Sequence, residues 1–263
     1  MIHFGNRISV PVLAAAAWVL GWSDSLAAGT VPDLSGVWLS ATAQEATDRP
    51  GAALFDARGS GAPGGKPQLR DPYRADYEAR EARQEAKEAQ GQPLFDSETQ
   101  CKPDGMPKMM RAFLPLQIVQ TPSLVVVLAE ELQQIRRIYL NEKMPALTDL
   151  TPNYNGFSVG HWEGDTLVVR TTAVRPEARF LDLPHSEKLT LTERLRLLSP
   201  QTLEDHIVIE DPVVLARPYS FTWRYRKDTT NYKLSEYVCD NNRYQGDSQG
   251  NAVVETNAPP QKK

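Results

Sequence analysis

The sequence has few cysteines and no strong excess of either charge. Its 263 residues include two cysteines, and the formal net charge at pH 7 is -4. Proteins that bind nucleic acid carry a clustered basic surface. The sequence therefore predicts no nucleic-acid partner.

Long apolar runs are absent after the N-terminus. A single run at residues 8–22 follows Arg7 and precedes a small, polar stretch, which is the three-part pattern of a secretory signal. The run is shorter than the roughly 20 residues of a bilayer-spanning helix, and Pro11 interrupts it. We expect residues 1–27 to be a signal peptide cleaved after Ala27, with an uncleaved anchor as the alternative. The protein would then be periplasmic or secreted, with no further membrane insertion.

The two cysteines, Cys101 and Cys239, lie far apart in the chain. In an exported protein a disulfide between them could persist. Closing so long a loop stabilises a fold by roughly 4–5 kcal/mol in the chain-entropy model. Two free thiols are the alternative, because sequence does not show whether the β-carbons meet.

Histidine is also scarce, and no motif predicts a cofactor. His161, His185 and His206 lack the paired spacing of metal ligands, so no metal site is expected. Residues 156–160 match the Gly-x-Ser-x-Gly pattern of hydrolase nucleophiles, which requires a strand, a sharp turn and a helix. Here an alternating strand pattern continues past the serine, which argues against a serine hydrolase.

The region after the predicted signal peptide divides into three parts. Residues 28–70 hold a short strand pattern at 33–38 and a stretch rich in Gly, Pro and Ala, typical of a flexible linker. A helix is predicted at 71–90, where Asp71 suits the cap and Pro72 the first helical position. Five alanines share one face and predict a shallow surface that packs on a sheet: Ala75, Ala79, Ala82, Ala86 and Ala89.

From residue 116 apolar and polar residues alternate, which is typical of strands joined by short turns. The predicted strands are 116–120, 124–130, 133–140, 156–162, 166–174, 188–198, 202–209, 219–225 and 232–239. A long meander removes its free edges most simply by closing. We predict a mainly β fold at 91–246, an antiparallel meander barrel or strongly curved sheet of lipocalin-like type, completed by strand 33–38 and the helix. A two-sheet sandwich is the alternative, and residues 247–263 are predicted to be a disordered tail.

Alternation also predicts which side chains point inward, since residues two apart in a strand share a face. The predicted interior carries an aromatic stripe and several ionisable groups: Arg137, Tyr139, Phe157, His161, Glu193, Asp205, Tyr219, Phe221, Trp223 and Glu236. A buried carboxylate requires a partner or a raised pKa. The structural hypothesis is favoured: these carboxylates pair with Arg137, Arg170 or Arg224, or the alternation slips at a bulge and they face water. The functional hypothesis makes Glu193 and His161, or His185 on a predicted rim loop, an acid–base pair.

Several segments resemble those of a group of exported bacterial proteins that are largely uncharacterised. The resemblance covers most of residues 93–243, and its most specific part is the hairpin Gly-His-Trp-Glu-Gly-Asp-Thr-Leu-Val-Val at 160–169. Further shared segments lie at 101–107, 184–186, 193–194 and 236–239. The resemblance implies export and a β fold.

Three functional hypotheses follow. The first is a barrel that binds a small, largely apolar molecule in an aromatic-lined pocket whose charged groups fix its polar end. The second is an enzyme on the same frame, a lyase, isomerase or hydrolase that uses an inward carboxylate and a histidine. The third is an envelope protein-interaction module. The sequence leaves the oligomeric state open.

Overall fold

The structure, a computed structural model, describes Met1 and residues 31–41, 66–91, 101–180, 183–239, 244–246, 248 and 252–254. The chain divides into two compact units, Met1–Thr30 and Val31–Lys263. The predicted signal peptide falls in the first unit and, apart from Met1, outside the described residues. Most of the predicted linker also lies outside them. Among the described helices, none has the length and apolar character needed to cross a bilayer.

Nine strands of the second unit form a closed barrel, which confirms the predicted mainly β barrel over a sandwich. They are β1 (Gly36–Ser40), β2 (Leu116–Gln120), β3 (Leu124–Ala129), β4 (Gln134–Leu140), β5 (Phe157–Glu163), β6 (Thr166–Thr172), β7 (Thr190–Ser199), β8 (Thr202–Glu210) and β9 (Tyr219–Lys227). Each strand pairs with its sequence neighbours, and β1 also pairs with β9. Closure leaves the barrel without a free edge.

The β4–β5 pair is parallel, which departs from the predicted antiparallel meander. Parallel neighbours cannot be joined by a tight hairpin, so the chain must return to the end of the barrel where β4 began. Residues 141–156 make this crossing and include a short 3₁₀ turn at Leu147–Asp149. All the other neighbouring strands of the barrel are antiparallel. The two-residue turn between β5 and β6 has Gly164 at φ 63°, a conformation that favours glycine.

The barrel has two ends, which we call the Tyr219 end and the Lys227 end after the first and last residues of β9. At the Lys227 end, Leu34 and Trp38 are fully buried, and the Trp38 indole donates to the Leu34 carbonyl at 2.9 Å. The Gln120 side chain accepts the Leu34 backbone N–H at 3.0 Å. The segment before β1 therefore closes this end.

Two segments cover the Tyr219 end. In the first, residues 101–112, the backbone N–H of Gly105 donates to the Gln134 side chain at 3.0 Å, and that of Met106 donates to the Tyr154 carbonyl at 2.9 Å. Met109 and Met110 of this segment are buried in the core. The second segment is the connection between β6 and β7, residues 173–189.

The helix α1 (Tyr73–Glu88) matches the predicted position but not the predicted face. The five alanines expected to pack on the sheet are all exposed. Tyr77 is buried instead, and Tyr73 packs against the core one turn earlier. Two tyrosine rings bury more apolar surface than a row of methyl groups, so they determine the orientation of the helix.

The segment 228–239 is not the strand predicted at 232–239, because none of its residues joins a sheet. It is held by Glu130, whose carboxylate accepts from the Tyr232 hydroxyl at 2.9 Å and the Ser235 N–H at 3.0 Å. A disulfide joins Cys239 to Cys101, with Cα atoms 5.7 Å apart, as predicted. Beyond it, β10 (Tyr244–Gly246) pairs with β11 (Ala252–Val254), which lies within the stretch predicted to be disordered.

Candidate functional site

A buried ion pair lies on the inner wall of the barrel and joins β4 to β7. Arg136 on β4 and Glu193 on β7 are 1% and 0% exposed. The guanidinium donates to both carboxylate oxygens, with 2.8 Å between Nη1 and Oε1. It also donates to Thr171 Oγ1 at 3.0 Å and Ser158 Oγ at 3.3 Å. Ser158, the serine of the 156–160 pattern, thus lies within strand β5 and is a buried hydrogen-bond partner of Arg136.

The inward direction of Glu193 is confirmed, but its partner is not one of the predicted arginines. Arg137 is exposed on the outer face, one residue from the arginine that forms the pair. Tyr139 and Phe157 also lie on the outer face, where their rings stack at 5.2 Å. The prediction failed because the outer face of β4 carries Ile135, 46% exposed, and therefore resembles a core face. The alternate set, which contains Arg136, is the inner one.

Asp205 on β8 points into the barrel, as predicted, and is fully buried. Neither of its carboxylate oxygens has a hydrogen-bond partner among the described residues. Burial and the negative charge of Glu193 raise its pKa well above the ordinary range, while the charge of Arg136 opposes the shift. Nearby, the hydroxyl of Tyr225 donates to the Met110 carbonyl. The result is a buried carboxyl group that favours its protonated form.

This carboxyl group should make stability fall as pH rises. Because its pKa is higher in the folded state than in the unfolded state, the folded state binds more protons in the window between the two values. Asparagine does not titrate, so Asp205→Asn avoids this loss. As pH rises between the two pKa values, its free energy of unfolding should increase relative to that of wild type by up to about 1.4 kcal/mol per pH unit. Urea unfolding at a series of pH values above 4 measures this difference.

The matched control is Glu210→Gln, an exposed carboxylate on the same strand. It is expected to stay close to wild type, within about 0.5 kcal/mol, at every pH. If the difference between Asp205→Asn and wild type did not change with pH, Asp205 would not carry a raised pKa.

An aromatic cluster lies inside the Tyr219 end. Tyr219, Phe221 and Trp223 are inward and buried, as predicted. Phe180, from the β6–β7 connection, packs on two of them, with its ring centroid 4.9 Å from that of Phe221 and 5.6 Å from that of Trp223. The Tyr219 hydroxyl is buried without a hydrogen-bond partner among the described residues, and burial raises its pKa. Phe180 was not predicted, because alternation says nothing about loop residues.

A small cavity adjoins this cluster. It is lined mainly by apolar side chains, including Met106, Phe180, Leu183 and Leu191, together with His185. The space open to water inside it is about 20 Å³, enough for about one water molecule. A larger molecule can enter only if a side chain at this end moves.

His185 lies in the β6–β7 connection at the Tyr219 end, where two of its ring contacts are to backbone carbonyls. Nδ1 is 3.2 Å from the Ser186 carbonyl oxygen and Nε2 is 3.1 Å from that of Ala178. The neighbouring turn is fixed by Asp211, which accepts the Ser186 N–H at 2.6 Å and its hydroxyl at 2.9 Å. His185 therefore links two parts of the connection that carries Phe180.

His161 lies on the outer face of β5, contrary to the predicted inward position. Its side chain is 56% exposed, and its Nε2 is 3.2 Å from the carboxylate of Glu163. Arg194 donates to the same carboxylate at 3.0 Å, and this bond, followed by that from His161, lowers the pKa of Glu163. Glu193 and His161 thus point to opposite faces of the sheet.

Glu236 was predicted to point inward from a strand, but it is exposed within the irregular segment 228–239. Among the described residues, no group of three or more His, Cys, Asp or Glu side chains could hold a metal ion.

Comparison with protein-family models, with curated proteins and with solved structures finds no match for this chain. The kinship indicated by the hairpin at 160–169 therefore stays a prediction.

Proposed function

We propose that this protein binds a small, largely apolar molecule at the Tyr219 end of its barrel. One observation carries the proposal: a loop side chain, Phe180, packs on two inward aromatic residues of β9, Phe221 and Trp223, beside an apolar cavity. A ring supplied by a loop can be replaced by a ring or chain of a ligand more easily than one supplied by a strand. Ligand sites with apolar walls and few polar groups are common at the mouths of barrels.

The proposed binding step exchanges one apolar contact for another. Phe180 leaves the rings of Phe221 and Trp223, and the ligand occupies the same surface. The buried hydroxyl of Tyr219 and the carboxyl group of Asp205 offer hydrogen bonds that no described residue uses. A molecule with an apolar body and one polar end could pack its body on the aromatic rings and form hydrogen bonds to these polar groups.

The enzyme hypothesis has less support. Glu193 is held by two hydrogen bonds from Arg136 in a fully buried position, which leaves it poorly placed to exchange protons with a substrate. His161 lies on the other face of the sheet, and His185 contacts backbone carbonyls. The interaction hypothesis rests on the helix and the polar C-terminal tail, and most of that tail lies outside the described residues.

Export is part of the proposal. The Cys101–Cys239 disulfide suits an oxidising compartment such as the periplasm or the cell exterior. The apolar run at residues 8–22 supports the same location.

A binding titration with matched variants tests the proposal. The probe is N-phenyl-1-naphthylamine, an uncharged apolar dye whose fluorescence rises on leaving water. Phe221→Leu removes part of the inner aromatic wall and should weaken dye binding about three- to tenfold, since one lost aromatic contact is worth about 0.5–1.5 kcal/mol beyond its buried area and about 1.4 kcal/mol is tenfold in affinity. Phe157→Leu, the same change on the outer face, should leave the affinity within twofold.

Two results would reject the proposal. Equal loss of affinity in both variants would show that the dye does not bind inside the Tyr219 end. No binding to the wild type at a dye concentration of 100 μM would also contradict it.

A further inference from the structure

The carboxyl group of Asp205 lies next to the proposed ligand site. Asp205 pairs across strands β8 and β9 with Trp223, and Ile207 pairs with Phe221, so both aromatic rings and the carboxyl group share the inner face. From the Tyr219 end, Asp205 lies two residue pairs deeper than Phe221, at the next pair that faces inward. A ligand that replaces Phe180 therefore meets the aromatic rings first and the carboxyl group next.

The charges inside the barrel are unbalanced when Asp205 is ionised. Arg136 contributes one positive charge, and it is already bonded to both oxygens of Glu193. A second carboxylate leaves this group of three with one net negative charge in a fully buried place. The protonated form of Asp205 avoids that charge, which agrees with its raised pKa.

A bound cation would balance the charge in a different way. An ammonium group beside Asp205 would bring the net charge of the three residues and the ligand to zero and would donate to oxygens that have no partner among the described residues. The face of Trp223 would add an attraction between the cation and the ring. A carboxylate ligand would instead add a further negative charge beside Asp205 and Glu193.

We infer that the molecule bound at the Tyr219 end is an amphiphilic amine, with an apolar body against Phe221 and Trp223 and an ammonium group paired with Asp205. The inference rests on the proposed function and names its ligand class. On binding, a protonated Asp205 passes its proton to solvent, and the carboxylate pairs with the ammonium group.

Three probes of equal chain length separate the possibilities: octylamine, 1-octanol and sodium octanoate. Isothermal titration of the whole protein at pH 7 should show octylamine binding at least tenfold more tightly than octanol, and octanoate most weakly. In Asp205→Asn, octylamine should lose at least tenfold in affinity, while octanol stays within threefold of wild type. Glu210→Gln, on the same strand but exposed, should preserve the order of the three affinities.

The outcomes distinguish the two proposals. If octanol and octylamine bind equally well, or octanoate binds most tightly, the amine inference is wrong and the proposed binding function stands. If Asp205→Asn leaves octylamine affinity unchanged, Asp205 is not its partner and the inference is again wrong. If none of the three binds at millimolar concentration, the proposed function and the inference both fail.

Discussion

Replacing Arg136 with methionine is expected to destabilise the barrel by about 3–5 kcal/mol. The change leaves Glu193 fully buried without its two guanidinium hydrogen bonds and removes the donor to Thr171. A buried charge that loses its opposite charge keeps the cost of leaving water. Urea unfolding followed by far-UV circular dichroism measures the loss as a lower transition midpoint.

Arg137→Met is a close control, because it makes the same change one residue away on the outer face. It should alter the free energy of unfolding by no more than about 0.5 kcal/mol. The double variant Arg136→Met/Glu193→Leu should recover most of the loss, since it removes both charges and keeps an apolar volume. Similar losses of stability from Arg136→Met and Arg137→Met would contradict the placement of Arg136 on the inner face and Arg137 on the outer face.

Loss of the disulfide is expected to have the second large effect. The bond joins residues 138 positions apart, and removing a native disulfide typically costs about 2–5 kcal/mol. Cys101→Ser/Cys239→Ser should lower the free energy of unfolding by an amount in this range. Comparison of oxidised and reduced wild-type protein in the same urea titration provides an independent estimate.

The disulfide variant should loosen one region more than the barrel. The segment 228–239 would keep the hydrogen bonds of Glu130 to Tyr232 and Ser235, but it would lose its disulfide cross-link to residues 101–112. Hydrogen exchange should therefore rise most in these two segments and least in strands β7 to β9. A uniform rise through all nine strands would show that the bond supports the barrel as a whole.

The sequence was most informative where one face of a strand is apolar and the other charged. On β7, Glu193 lies among leucines on one face, and Arg194 and Arg196 occupy the other, so its inward direction was predicted correctly. The aromatic face of β9, opposite Arg224, was predicted for the same reason. In such strands a single choice of face satisfies both burial and solvation.

The failures have physical causes as well. On β4 both faces carry apolar side chains, so alternation could not distinguish Arg136 from Arg137. The parallel β4–β5 pairing depends on the long crossing at residues 141–156, which no turn motif predicts. Phe180 reaches the core from a loop, and its contacts with Phe221 and Trp223 join residues about 40 positions apart. Such contacts follow from the tertiary structure and not from local periodicity.

The most direct test of the central claim is to locate a bound apolar molecule by NMR. With the isotope-labelled protein and 1-octanol, we predict intermolecular nuclear Overhauser effects to the ring protons of Phe221 and Trp223, with a changed environment for Phe180. Contacts confined to Tyr139 and Phe157 would place the molecule on the outer face and contradict the account.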